Sequence, residues 1–126
     1  MLQHIEGALA ALPYPERPEG LYDPIRFILA GGGKRLRPML LLTAYSLYHS
    51  DFTPAVSAAI GIEMYHNHTL VHDDLMDHAD VRRGRPTVHK RWNENTAVLS
   101  GDTMLLLAYR LIAQSSVGRT DRKSVV

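Results

Sequence analysis

An all-α fold is what the sequence predicts, on three observations. Apolar residues recur at three- and four-residue spacing over long stretches. Prolines stand where a first helical turn tolerates them, at Asp23-Pro24, Arg37-Pro38 and Thr53-Pro54. No segment alternates apolar and polar residues in the manner of a half-buried strand. The 126 residues, 45% apolar and 21% charged, fit one folded domain rather than a disordered or fibrous segment. A core is within reach at this length, whereas a large pocket enclosed wholly by this chain is hard to build.

Taken in order, the helix begun at Pro24 is expected to stop at Gly31-Gly32-Gly33, where three glycines favour a stop or a close backbone approach. From Pro54 the apolar spacing runs through Val56, Ile60, Met64, Leu70 and Val71 to Asp77. That is a helix of about two dozen residues, roughly 36 Å long. Residues 81–86 read as a loop, because Gly84 and Pro86 both oppose a helix. Asn95 is the expected cap of a last helix over 96–113, with Val98, Leu105, Leu106, Tyr109 and Ile112 as its apolar face. The periodicity fails at Gln114. Residues 1–113 therefore read as one helical domain and 114–126 as a frayed tail.

Fourteen basic residues against thirteen acidic ones give a net charge of +1, which provides no global field to attract nucleic acid or acidic lipid. Function must sit in local charge. The absence of cysteine excludes disulfides and thiolate metal sites. Residues 1–11 lack the basic leader and apolar run of a signal peptide. The apolar runs at 39–42 and 104–108 are too short to span a bilayer. The expectation is a cytoplasmic protein with no stable membrane insertion and no nucleic-acid partner.

Three clusters carry the local charge. Asp73 and Asp77 are four residues apart and project from one face of the long helix, with Asp74 about a third of a turn round from Asp73. Stacked like charges have no structural benefit unless a cation lies between them, and the helix dipole disfavours them at a C-terminal end. Hard oxygen ligands without thiolates suit magnesium. A solvated acidic face is the bland alternative. The second cluster, residues 31–38, reads Gly-Gly-Gly-Lys-Arg-Leu-Arg-Pro, where Lys34 and Arg37 can converge on one anion; it lacks the spacing and the Ser or Thr of a P-loop. The third, Arg82-Arg83-Gly84-Arg85, follows the carboxylates and can clamp a phosphorylated ligand.

His66, His68, His72 and His78 crowd the same helix, and His68 with His72 has a zinc-chelating spacing. His72-Asp73 leaves open a helical metal phosphohydrolase of the HD type, although those two side chains point about 100° apart on a helix. Packing or hydrogen bonding is the ordinary alternative for His78 and His89.

Together, Gly-Gly-Lys-Arg-Leu-Arg-Pro at 32–38, His66 seven residues before Asp73, Asp-Asp-Leu-Met-Asp at 73–77, Arg82-Arg83-Gly84, Pro86-Thr87-Val88-His89 and Ser100-Gly101-Asp102 resemble the polyprenyl synthetase family, the trans-isoprenyl diphosphate synthases. The resemblance covers residues 21–113. It implies the N-terminal part of a helical bundle of the isoprenoid synthase type, a homodimer when complete, that condenses isopentenyl diphosphate with an allylic diphosphate. By motif position, Asp73 and Asp77 match the Mg2+ ligands, with Asp74 beside the metal, and Arg82 matches an allylic diphosphate contact. Gly33, Lys34, Arg37, His66 and Arg83 match positions that hold isopentenyl diphosphate. His68, five before Asp73, matches the position where bulk limits product length, so a short product such as farnesyl or geranylgeranyl diphosphate is expected.

The family's second aspartate-rich motif has no counterpart after Asp102, where only Asp121 follows. The sequence therefore reads as a truncated chain or an interrupted frame, inactive alone. A non-catalytic partner subunit of a complete synthase is a further alternative.

Overall fold

The prolines mark helix starts less literally than the sequence predicts. Helix α2, Glu19–Ala30, begins before Pro24 and carries it inside. At the sixth helical position the missing N–H forfeits a single bond near the first turn, and the ring is fully buried in return. Gly32 and Gly33, with φ of 89° and 126°, then end α2 as expected. Helix α3, Leu36–Ser46, starts from Arg35 in the left-handed region and takes Pro38 in its first turn. A 3-10 turn, Thr53–Ala55, leads into α4, Val56–Met76. Asp51 starts that turn by accepting from the Thr53 N–H at 3.0 Å and its hydroxyl at 2.7 Å.

The chain is described by a computed structural model over residues 1–14 and 19–115, with only the backbone of Glu19; the tail expected at 114–126 therefore lies, from residue 116, outside the described residues. Two helices escape the sequence reading. α1, Leu2–Ala10, buries Ile5 and Leu9, and α5, Val88–Arg91, is a single turn. Residues 81–86 are not a loop but a minimal hairpin of β1, Val81–Arg82, and β2, Arg85–Pro86, with Arg82 opposite Arg85. Arg83 and Gly84 both have positive φ, 54° and 74°, the signature of a primed two-residue turn whose twist suits paired strands. Two-residue strands are too short to show alternation, so the sequence held no strand signal.

Helix α6, Glu94–Ala113, is capped by Asn93 rather than Asn95: the Asn93 side-chain oxygen accepts from the Thr96 N–H at 2.7 Å. Its expected apolar face is also reversed. Leu106 is 69% and Tyr109 61% exposed, and Val98 and Ile112 are exposed as well, whereas Ala97, Ser100, Gly101, Met104 and Ala108 are buried. Small side chains at helical spacing let a neighbouring helix approach closely, and hydrophobicity alone does not reveal them. α6 also has the length and mean hydropathy, 1.3, of a membrane span, because its apolar residues are interspersed with small polar ones rather than gathered in a run.

The residues form two compact units. The first contains α1, α3, the start of α4 and the end of α6. Its core includes Ile5, Leu42, Ala59 and Ala108. Gly61 of α4 lies where a side chain would strike the Ala108 carbonyl and Ile112 of α6, and the Ser57 hydroxyl donates to the Leu111 carbonyl at 2.7 Å. In the same unit the Arg35 guanidinium is sealed between α1 and α4: Nε donates to Glu6 at 2.7 Å and Nη1 to Glu63 at 3.0 Å. Burial works against the charge of Arg35, but the bonds and charges of the two carboxylates outweigh it and hold its pKa above the ordinary value. The second unit contains α2, the rest of α4, the hairpin, α5 and most of α6. Its core includes Ile25, Met64, Val71, Ala97 and Met104, and the Ser100 hydroxyl ties α6 to the Leu21 carbonyl of α2 at 2.9 Å.

Candidate active site

The acidic cluster of the second unit sits on a helix end built to a defined pattern. The Ala79 N–H reaches the Asp74 carbonyl at 2.9 Å and the His78 N–H the Leu75 carbonyl at 3.2 Å. His78 is in the left-handed region, φ 53°. These are the two bonds and the reversed residue of a Schellman motif, with histidine where glycine is usual. His78 is thus exposed and neither packed nor hydrogen-bonded into a core, which corrects the expectation for it, and its place is explained by the backbone it ends.

That ending separates the three aspartates. Asp74, its side chain 7% exposed, accepts both Nε and Nη2 of Arg82 at 2.7 and 2.8 Å. The paired bonds hold the Arg82 guanidinium above its ordinary pKa against the opposing effect of burial, with the charges of Asp74 and Asp73 adding to the shift. Asp73 and Asp77 are exposed and, among the described residues, in no ion pair. Two N–H groups of Arg82 are therefore committed to Asp74, and those of Nη1 with the second one of Nη2 remain to meet a ligand.

The glycine loop and the hairpin interlock. Arg83 Nη1 donates to the Gly32 carbonyl at 2.8 Å, and a side chain at Gly33 would meet the same guanidinium at 3.0 Å. Arg85 donates to the Phe27 carbonyl at 2.9 Å and stacks on the Phe27 ring, 3.8 Å from its centroid. A side chain at Gly31 would lie 2.6 Å from Arg85 Nη1. The close approach that the glycines permit is thus made by arginines. Phe27, Ile28, Gly31, Arg82, Arg83, Arg85 and Pro86 line an open recess, three of them arginines.

Lys34 is exposed at the end of the loop in this unit, and His66 is half-buried on α4. Arg37, exposed on the first turn of α3, belongs to the first unit. His68 is buried, with Nδ1 against the Tyr65 carbonyl and its ring edge-on to Tyr65 and His72. The His72 ring turns away from Asp73 towards α6: Nε2 is 3.3 Å from the Val98 carbonyl and 3.6 Å from Asp102. A side chain at Gly101 would fall 2.2 Å from that nitrogen. Gly101 is therefore the seat of the His72 ring, and the Ser-Gly-Asp triplet was the only sign of it in the sequence. Among the described residues no three His, Cys, Asp or Glu side chains converge as a metal site.

Asp73 and Asp77, two hard, exposed carboxylates one helical turn apart and in no ion pair among the described residues, are of the chemistry that would suit Mg2+, an ion that keeps several waters and takes its other ligands from substrate phosphates.

The Polyprenyl synthetase family profile matches residues 18–125. The chain belongs to that family. Over 111 residues it is 41% identical to the geranylgeranyl diphosphate synthase of Methanosarcina mazei, covering 88% of this chain and 34% of that protein. Its fold is similar to the crystal structure of a geranylgeranyl pyrophosphate synthetase from Pyrococcus horikoshii, with a TM-score of 0.84, 38% identity, and coverage of 91% of this chain and 35% of the other. A crystal structure of an isoprenoid synthase family member from Thermotoga neapolitana is similar at a TM-score of 0.85 and 34% identity, covering 91% and 46%. The all-α isoprenoid synthase fold is thus established. The chain spans about one third of the length of the curated relatives it matches.

Proposed function

We propose that the chain supplies one diphosphate-binding side of a prenyltransferase that joins isopentenyl diphosphate to an allylic diphosphate. The observation that carries this reading is the sorting of the acidic cluster: Asp74 is tied to Arg82, while Asp73 and Asp77 stand open beside an arginine-walled recess. Carboxylates in no ion pair among the described residues, close to arginines, are arranged for a metal and a polyanion together. Asp73 and Asp77 would hold Mg2+, which when bound neutralises charge developing on a diphosphate leaving group.

The residues of the chain account for the remaining tasks. Arg82, oriented by Asp74, faces the allylic diphosphate through its unbonded N–H groups, and Arg83, fixed on Gly32, brings its guanidinium to isopentenyl diphosphate with Lys34 and His66, while Arg37 of the first unit is a diphosphate contact by its motif position alone. Buried His68, held by the Tyr65 carbonyl one turn below His72, limits the length of the product, which favours farnesyl or geranylgeranyl diphosphate. The relatives named as geranylgeranyl diphosphate synthases support this short-chain reading.

The test is condensation of labelled isopentenyl diphosphate with an allylic diphosphate, with and without magnesium. The 126-residue chain alone is expected to be inactive, and the same chain extended by the remaining part of a relative is expected to be active. Turnover by the chain alone refutes its expected inactivity. Phosphate release without condensation points to a hydrolase, and activity appearing only on mixing with a complete synthase points to a partner subunit. In an active extended enzyme His68→Ala is expected to lengthen the products; unchanged products reject the role of His68.

A further inference from the structure

Within the first unit, the Glu6–Arg35–Glu63 bridge is the strongest charged arrangement that the proposed chemistry leaves unused. The side chains of Arg35 and Glu63 are 1% and 3% exposed. Taking such ions out of water costs several kcal/mol each, and packed apolar residues of the same volume usually do as well or better. Arg35 also occupies the left-handed region, at φ 54° and ψ 34°, which a side chain with a Cβ adopts at a cost. Stability alone is thus a poor account of this bridge.

What the bridge does provide is direction. Arg35 is the residue from which α3 starts: its carbonyl accepts the Met39 N–H at 3.1 Å, opening the hydrogen-bond ladder of the helix. Its guanidinium, a planar fork, is held by α1 on one side and α4 on the other. The first turn of α3 is therefore fixed in position and rotation by a residue bonded at both its main chain and its side chain. Exposed Arg37 stands on that turn, with buried Pro38 next to it.

We propose that Arg35 is a positioning residue that aims the Arg37 guanidinium at a diphosphate. This rests on the diphosphate-binding function proposed above. Misplacing a charged group by about an ångström costs on the order of tenfold to a hundredfold in function, without any change in the group itself.

The experiment is calorimetric titration of the chain with inorganic diphosphate and magnesium. If the unaltered chain does not bind, the diphosphate-binding function fails, and with it the premise of this proposal. If it binds, the double variant Arg35→Met with Glu63→Met decides, because it removes the bridge without changing net charge. The expected result is wild-type thermal stability or better with at least about fivefold weaker diphosphate binding. The same pair of substitutions in an Arg37→Ala background is expected to weaken binding no further. Binding within about fivefold of wild type, or an undiminished further loss without Arg37, overturns the proposal. If the double variant does not fold, Glu6→Gln, which loosens only the half-exposed arm of the bridge, is read by the same two comparisons.

Discussion

In the first unit the guanidinium of Arg35 is sealed between two carboxylates, whereas at the end of α4 in the second unit Asp73 and Asp77 stand in water and, among the described residues, in no ion pair. Both arrangements are costly, in opposite ways. Arg35 and Glu63 have lost hydration and regained it as bonds inside the fold. Asp73 and Asp77 keep their hydration, but they repel each other at the end of a helix whose dipole opposes them. The first arrangement is complete without a ligand; the second is relieved only by one. Asp74 and Arg82 stand between the two, a partly buried pair next to the open carboxylates.

The largest effect expected on stability comes from the sealed side. Glu63→Ala takes the buried carboxylate away from a buried guanidinium, and should cost about 3–5 kcal/mol in urea unfolding. A cost below about 1 kcal/mol would mean that water reaches the bridge and that the contrast with Asp73 is one of degree. On the open side the prediction inverts. Asp73→Asn should leave unfolding unchanged to within about 0.5 kcal/mol, while condensation by the extended enzyme falls by about a hundredfold or more, a loss of roughly 2.7 kcal/mol in transition-state stabilisation.

Gly101→Ala probes the histidine that precedes the open carboxylates. The new methyl group would overlap the His72 ring and should destabilise by about 1–3 kcal/mol, with His72→Ala in the same chain recovering most of the loss. Failure of that recovery would show that the helices themselves, rather than the ring, occupy the space. Smaller and opposite in sign, His78→Gly should stabilise by about 1 kcal/mol, by removing the side-chain penalty at the reversed residue of the α4 end.

The smallest effect concerns Asp51, exposed like Asp73 but already bonded to the Thr53 hydroxyl and N–H, which hold its carboxyl below its ordinary value. Its contribution to stability is present above its unfolded pKa and is lost as the pH falls from about 4 through the lower folded value. A plot of Tm against pH should therefore fall less steeply below pH 4 for Asp51→Asn than for the native chain. An identical slope would place Asp51 with the unpartnered carboxylates.

The sequence revealed these charges unevenly. The spacing of Asp73, Asp74 and Asp77 correctly set Asp74 apart from the other two, because helix periodicity is strict enough to sort neighbouring side chains onto faces. The length of α4 and the stop at the glycine loop were legible for the same local reason. Arg35, lying between Lys34 and Arg37 in a basic run, reads as one more surface cation; its burial depends on Glu6 and Glu63, remote in the chain. The orientation of α6 was misread because its close packing uses alanine, serine and glycine while its bulkiest residues face outward. The Arg83-Gly84 turn was hidden because two-residue strands carry no pattern.

Arg35 lies 29 residues from Glu6 and 28 from Glu63. Two separate loops must close before its guanidinium can be enclosed, and the entropy of each closure is spent before its own bond forms. The bridge is therefore expected to form late in folding, which the folding and unfolding rates of Glu63→Ala check. Its loss is felt as a faster escape from the native state rather than a slower approach to it, so that Arg35 governs how long the molecule stays folded more than how quickly it folds.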